Sequence, residues 1–378
     1  MKKMLYAALA AVFLLVALST VALAAQNVTN PAQKGSLLVW PKIVVDRAGF
    51  VTADTVVTIV NDYTSLVDVK CYWMDEYQNI QDFVFRLTKN QVVWFRASDG
   101  MGMEGSKEVF VPPFDGRRGE LKCWAVNNEG TQQISWNHLF GSATIYDYRA
   151  GEAWEYSTWN FAARAVDRND PVGTGGELEL TGADGGYDAC PEYLLGTFVA
   201  QRDAMHAGTQ DGLEPFGSDL TLVPCKQDLR QDRIPTYTKA EFDIWNEDEV
   251  KSTGAYMCFK CWLETTLEPH PYYSAGAGTW KNFDKFGIAS LHTDMGFFRV
   301  TGVFSTACKA TDWYANFPYP YFLPYTTVAT PLIGLISTNL LFPVDRAIVG
   351  TTLNTAGFDG TGFVKWDPQW EHPELDGR

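Results

Sequence analysis

The chain has no long stretch in which apolar residues recur every three to four positions, so helices are not expected to build its core. It also lacks the short motifs that carry familiar chemistry. There is no G-x-S-x-G nucleophile elbow, no H-E-x-x-H zinc helix and no C-x-x-C-H haem attachment site. The five histidines, His138, His206, His270, His292 and His372, stand at spacings that build neither a triad nor a metal site. GMGMEG, Gly100 to Gly105, spells G-x-G-x-x-G, but SKEVFVPPFDG follows it with two prolines and no helical period. A dinucleotide fingerprint needs a helix N-terminus there. TGADGGYDA and GFDGTGF do not space their oxygens as an EF-hand loop does and read as turns. These absences predict no cofactor and no metal.

Positive charge is scarce too. Lys and Arg number 30 against 45 Asp and Glu, a formal net charge of -15. An acidic surface repels phosphate backbones and anionic headgroups, so nucleic acid is not an expected partner. Carboxylates are so abundant that no catalytic pair stands out, and a secreted hydrolase remains one alternative.

The first 24 residues carry Lys2 and Lys3, an apolar run, and Ala22-Leu23-Ala24 before Ala25. That order predicts a secretory signal peptide over 1–24, with an uncleaved anchor as the alternative. Export implies a periplasmic, cell-surface or extracellular bacterial protein with no membrane span after cleavage. VATPLIGLISTNLLFPV, Val328 to Val344, is broken by Pro331 and polar residues and is too short for a spanning helix, which needs about 20 apolar residues. It reads as a long strand or strand pair.

What is present is β pattern. DTVVTIVN alternates apolar and polar residues, and similar runs rich in Val, Ile, Thr and aromatics are bounded by ND, DG and GG turns. Aromatics make up 14% of the chain, ample to fill two cores. The sequence also echoes itself. DTVVTIVNDYTSLVDVKCYW matches AEFDIWNEDEVKSTGAYMCFKCWL, setting Asn61 beside Asn246 and Cys71 beside Cys261. Cys123 then falls beside Cys308, and Thr158 and Asn160 beside Thr352 and Asn354. The expectation is an all-β protein of two tandem antiparallel β-sandwiches, immunoglobulin-like or jelly-roll, from an internal duplication. Their expected limits are 25–165 and 220–367, with a Gly/Asp-rich connecting segment over 166–219 and a tail over 368–378.

Lys-Cys-aromatic occurs three times, at Cys71, Cys123 and Cys261. In an oxidising compartment such cysteines pair by default. The repeat predicts Cys71–Cys123 and Cys261–Cys308 disulfides, each closing a loop of about 50 residues and stabilising by roughly 4 kcal/mol. In CFKC, residues three apart on a strand face opposite ways, so Cys258 is expected to point outward to Cys225 or Cys190. A redox site needs a helix N-terminus, and zinc needs a second such pair, so both are weaker alternatives.

Two insertions in the second copy, EPHPYYSAGAGTWKNF and TDWYANFPYPYFLPYT, are rich in aromatics. Tyr272, Tyr273, Trp280, Trp313, Tyr314, Tyr319 and Tyr321 are the candidate ligand-binding residues, set to stack on sugar rings or a partner's apolar surface. The alternative is a lid packed back on the sandwich edge. The expected partner is a glycan or another envelope protein.

KGSLLVWPKIVVD, DTVVTIVND, VDVKCYW and GELKCWAVNNEG, with CKQDLRQDR and FDIWNEDEVKSTGAY, together resemble a group of uncharacterised exported β-rich proteins of environmental Gram-negative bacteria. The resemblance implies secretion and β structure and carries no catalytic residue. The expected function is a non-enzymatic structural, adhesive or binding role at the cell envelope or surface. The alternatives are carbohydrate binding through the aromatic loops, and hydrolysis.

Overall fold

The structure is a computed structural model that describes residues 27–47, 51–102, 111–148, 151–165, 167–199, 214–230, 238–266, 273–274, 279–280, 295–303, 330–341, 346–356 and 362–368. Among these every regular element is a strand. The first group comprises β1 (Leu37–Val44), β2 (Ala53–Asn61), β3 (Val67–Asp75), β4 (Ile80–Leu87), β5 (Gln91–Arg96), β6 (Arg118–Val126), β7 (Leu139–Asp147), β8 (Glu152–Ser157) and β9 (Trp159–Phe161). After the short β10 (Glu177–Glu179) come β11 (Tyr193–Val199), β12 (Glu214–Pro224), β13 (Thr238–Asn246), β14 (Lys251–Phe259) and β15 (Leu263–Thr266). A small hairpin, β16 (Tyr273–Ser274) with β17 (Thr279–Trp280), precedes β18 (Met295–Val303). The chain closes with β19 (Leu332–Leu341), β20 (Arg346–Thr352), β21 (Asn354–Ala356) and β22 (Phe363–Lys365).

The first nine strands make a five-stranded sheet, β4-β3-β6-β1-β9, and a four-stranded sheet, β5-β2-β7-β8, with antiparallel pairing. Alternation puts one face of each inside. Val57, Ile59 and Ala143 from the smaller sheet meet Val69, Trp73 and Leu121 from the larger in one apolar cluster, as in a β-sandwich. The second group repeats that order. β14-β13-β18-β11-β21 corresponds strand for strand to the first five-stranded sheet, and β15-β12-β19-β20 to the first four-stranded one. β11 and the first half of β12 lie within the 166–219 segment, and both strands belong to this second pair of sheets. The apolar run expected over 328–344 contains β19, a ten-residue strand.

The steric details repeat as well. Asp75 ends β3 and its Oδ1 accepts from Tyr77 N at 2.9 Å and Asn79 N at 2.7 Å, with Gln78 at φ 71°. Asn246 ends β13 and its Oδ1 accepts from Asp248 N at 3.0 Å and Val250 N at 2.7 Å, with Glu249 at φ 62°. Short Asx side chains suit such turns because their oxygen replaces a backbone acceptor. Opposite these residues stand Gly119 and Gly296. A Cβ there would lie 2.0 Å from Met74 O and 2.1 Å from Trp245 O respectively.

These pairings correct the correspondence expected from residue spelling. Asn246 matches Asp75, not Asn61. Four residues back along each strand, Cys71 corresponds to Phe242; four residues on, Cys123 corresponds to Val300. The β3–β6 disulfide therefore has apolar packing, not a second disulfide, at its counterpart.

The two pairs of sheets are packed together. Glu264 on β15, Leu335 on β19 and Gly350 on β20 share one face of their sheet by register. Glu264 bonds Lys42 and Arg118 of the first group, Leu335 joins the first group's apolar cluster, and the Trp154 ring lies against Gly350. The opposite face of that sheet turns to β18, where Leu332 approaches Gly302. The second four-stranded sheet therefore meets both sheets of the first group, through Lys42 on β1 and Arg118 on β6 and through Trp154 on β8.

Candidate functional site

On a strand, residues i and i+2 share a face. In β3 and β6, Cys71 and Cys123 point into the first sandwich, where they are register partners and form a disulfide with Cα atoms 4.1 Å apart. Lys70, Tyr72, Lys122 and Trp124 therefore point the other way, onto the outer face of the five-stranded sheet. That face is covered, and every residue of β3 is buried.

The cover comes from the second group. The Lys70 ammonium, fully enclosed, bonds Asp82 at 2.7 Å and sits 5.3 Å from the Tyr72 ring and 5.7 Å from the Trp366 ring. Tyr72 stacks on Trp124 at 5.2 Å, and Trp366 meets Trp124 edge-on at 5.4 Å. Beside them Lys122 pairs with Glu120 and donates to Gln227 Oε1 at 2.5 Å, while Gln227 Nε2 donates to Glu120 Oε1 at 2.8 Å. Burial pushes the Glu120 carboxyl up and the Lys122 ammonium down, and their mutual attraction opposes both shifts. Burial likewise lowers Lys70, against the pull of Asp82. At Glu264 the balance goes the other way. Burial raises its carboxyl, but the Lys42 and Arg118 cations outweigh burial and hold it below the ordinary carboxylate value. Each charge has a partner; Lys70, Glu120 and Lys122 are enclosed, while Arg118 at the margin is 52% exposed. Such an arrangement joins the two groups of strands.

Cys261 belongs to this junction. It is a free, buried thiol whose Sγ–H donates to Asp75 O at 3.1 Å, which corrects its expected disulfide with Cys308. Burial pushes its thiol far above the ordinary value, so it is a poor nucleophile. Cys225 pairs with Cys190, not with Cys258, over a Cα distance of 6.1 Å. Cys258 is itself disulfide-bonded. Cys308 lies outside the described residues.

Of the aromatic candidates, Tyr273 and Trp280 are directly paired across the β16–β17 hairpin. Tyr272, Trp313, Tyr314, Tyr319 and Tyr321 lie outside the described residues. Among the described residues no group of three or more His, Cys, Asp or Glu is placed to hold a metal ion, and no helix is long and apolar enough to cross a membrane.

Two sheet faces carry exposed apolar side chains. On the outer face of the second five-stranded sheet, Phe297 is 42% exposed and stacks on Trp245 at 4.6 Å, and Met295, two residues back along β18, is 50% exposed. On the outer face of the first four-stranded sheet, Val92 is 58% exposed and Phe140 39%, with Trp94 partly exposed between β2 and solvent. Residue spelling alone did not single out these faces. The available signal was the contrast between VDVKCYWMD, which keeps Tyr72 and Met74 on its second face, and TKAEFDIWN, whose second face carries Lys239, Glu241 and Asp243.

No family model matches the sequence, and a search of curated proteins finds no match. Among solved structures, the chain is similar to a "putative secreted protein" from Parabacteroides distasonis ATCC 8503. The identity is 8%, the match covers 74% of this chain and 87% of that one, and the TM-score is 0.14. A score that low carries no argument about fold or function.

Proposed function

We propose that this chain is an exported bacterial protein, built from two tandem β-sandwiches of duplicated origin, with a non-enzymatic structural, adhesive or binding role at the cell envelope or surface. The observation that carries the reading is the pair of buried disulfides, Cys71–Cys123 and Cys190–Cys225. Disulfides of this kind persist in oxidising compartments and are rare in the reducing cytosol. The matching strand orders and the matching turns at Asp75 and Asn246 support the duplication. The junction supports a scaffolding role, because its enclosed ion pair Glu120–Lys122 is used to fasten one sandwich to the other through Gln227. A broad hydrolase screen of the purified mature protein tests the non-enzymatic part: no turnover is expected, and reproducible turnover lost on mutating a carboxylate would overturn it.

Carbohydrate binding is the second reading, favoured by the register pairing of Tyr273 with Trp280 in a two-stranded hairpin. Tyr and Trp each combine an apolar ring face with a polar atom, which suits a sugar ring. A glycan array should then show hits that Trp280→Ala abolishes. An array without hits, or hits indifferent to that substitution, removes the reading.

A further inference from the structure

Three side chains at the junction bring an amine, a carboxamide and a carboxyl group into contact away from water. Glu120 and Lys122 stand two apart on β6 and so share one of its faces, where both are enclosed. Gln227 reaches them from just beyond β12, 105 residues further along the chain. Its backbone is held on both sides. Cys225, two residues before it, is linked to Cys190, and Gln227 O accepts from Lys365 N at 2.8 Å. Lys122 Nζ donates to Gln227 Oε1 at 2.5 Å, Gln227 Nε2 donates to Glu120 Oε1 at 2.8 Å, and Glu120 Oε2 meets Lys122 Nζ. The three contacts close a ring. Adding the C=O length of about 1.23 Å to the 2.5 Å contact caps the Nζ–Cδ separation at about 3.7 Å. That approaches the roughly 3–3.5 Å at which positioned atoms react.

We propose that Lys122 and Gln227 become joined by an amide bond between Nζ and Cδ, with Glu120 carrying the protons and ammonia leaving. The arrangement in the structure is the reactant. An ammonium has no lone pair with which to attack, so the first step moves a proton from Lys122 to Glu120. Enclosure favours that transfer, because burial raises the carboxyl and lowers the ammonium. The neutral amine then adds to Cδ. Glu120 takes a proton from Nζ and gives one to Nε2, the atom that already touches its Oε1. The Cδ–Nε2 bond breaks, ammonia departs, and the Nζ–Cδ amide remains. One amine and one primary amide thus give one secondary amide and one ammonia; nothing is oxidised or reduced. Excluding water from the site suppresses competing hydrolysis of the carboxamide.

The bond deepens the scaffolding role proposed above and rests on that reading, but the two fail differently: turnover by the protein tells against the role, an unlinked Lys122 and Gln227 against the bond. Mature protein is reduced, denatured, weighed intact by mass spectrometry and mapped by proteolysis. Wild type is expected to be lighter than its sequence by one ammonia, with a branched peptide that contains both Lys122 and Gln227. Lys122→Arg and Gln227→Ala should each show the full mass. Glu120→Gln, sampled at intervals after synthesis, should bond about 100-fold more slowly than wild type or not at all. The wild-type measurement needs no variant, so misfolding of one leaves the test intact. Wild type at full mass with Lys122 and Gln227 in separate peptides, an ammonia loss that maps elsewhere, or Glu120→Gln protein that bonds as fast as wild type would overturn the proposal.

Discussion

Lys122 and Gln227 tie the two sandwiches together: the ammonium on β6 donates at 2.5 Å to an amide oxygen just after β12, and the amide returns a bond to Glu120. Lys122 and Glu120 are both enclosed, at 1% and 0% exposure, so neither charge has water as an alternative partner. The energetic weight of the junction follows from that enclosure. Each ion has lost its hydration, and removing one partner leaves the other buried and uncompensated.

Lys122→Met is therefore expected to lower unfolding stability by about 3–5 kcal/mol. Lys122→Met with Glu120→Leu should cost less than the single change, because no orphaned charge remains. Urea titrations of the three proteins check this, and additive losses would argue against the pair.

The cysteines are predicted to behave as two classes, bonded and buried free. Removing Cys71 and Cys123 together should cost about 2–5 kcal/mol, since their link closes a separation of 52 residues between facing strands. Cys261 should resist alkylation in the native protein and react once it is unfolded, because its thiol is buried and its proton held by Asp75 O. Mass spectrometry of peptides alkylated before and after denaturation reads both states. Native labelling of Cys261 would contradict the placement.

Gly119→Ala and Gly296→Ala are expected to destabilise alike, although the two residues lie in different sandwiches. In each case the new methyl meets a backbone carbonyl on the neighbouring strand, and backbone cannot swing away as a flexible side chain can. A loss of about 1–3 kcal/mol in each is the expectation from overpacking. Thermal melts that separate the two strongly would weaken the structural equivalence.

Acid should loosen the junction through Glu264. Its carboxyl is held below the ordinary 4.5, after the Lys42 and Arg118 attractions overcome burial. Its contribution is thus complete above that pH and disappears as pH falls through the depressed folded value. A stability profile below pH 4.5 should show an acid limb that Glu264→Gln flattens, at the cost of lower stability at neutral pH. An unchanged limb would place the acid sensitivity elsewhere.

The β architecture was readable because alternation is a backbone property. DTVVTIVN alternates in sequence, and from Val57 to Asn61 β2 alternates buried and half-buried positions. The Cys71–Cys123 partnership was readable from two matching triplets. The exact repeat register was not, because a buried strand position asks only for an apolar side chain of suitable size. Phe242 and Val300 satisfy that demand where Cys71 and Cys123 do, while Asn61 and Asn246 end non-equivalent strands and Cys261 lies between β14 and β15. What persisted were steric requirements, an Asx oxygen at Asp75 and Asn246 and a missing Cβ at Gly119 and Gly296. The Lys and aromatic members of the triplets carried a further clue. Large side chains on both faces of β3, Trp73 on one and Tyr72 and Met74 on the other, mean a sheet covered on both sides; here the second cover includes Gln227 and Trp366.

Export is the central claim, and it is tested most directly by expressing the full chain in a Gram-negative host, fractionating the cells, and mapping the N-terminus and disulfides of the recovered protein. The account predicts a chain beginning near Ala25, found outside the cytoplasm, with Cys71 linked to Cys123 and Cys190 to Cys225. A chain that keeps residues 1–24, stays in the cytoplasm and folds with these four thiols reduced would contradict it.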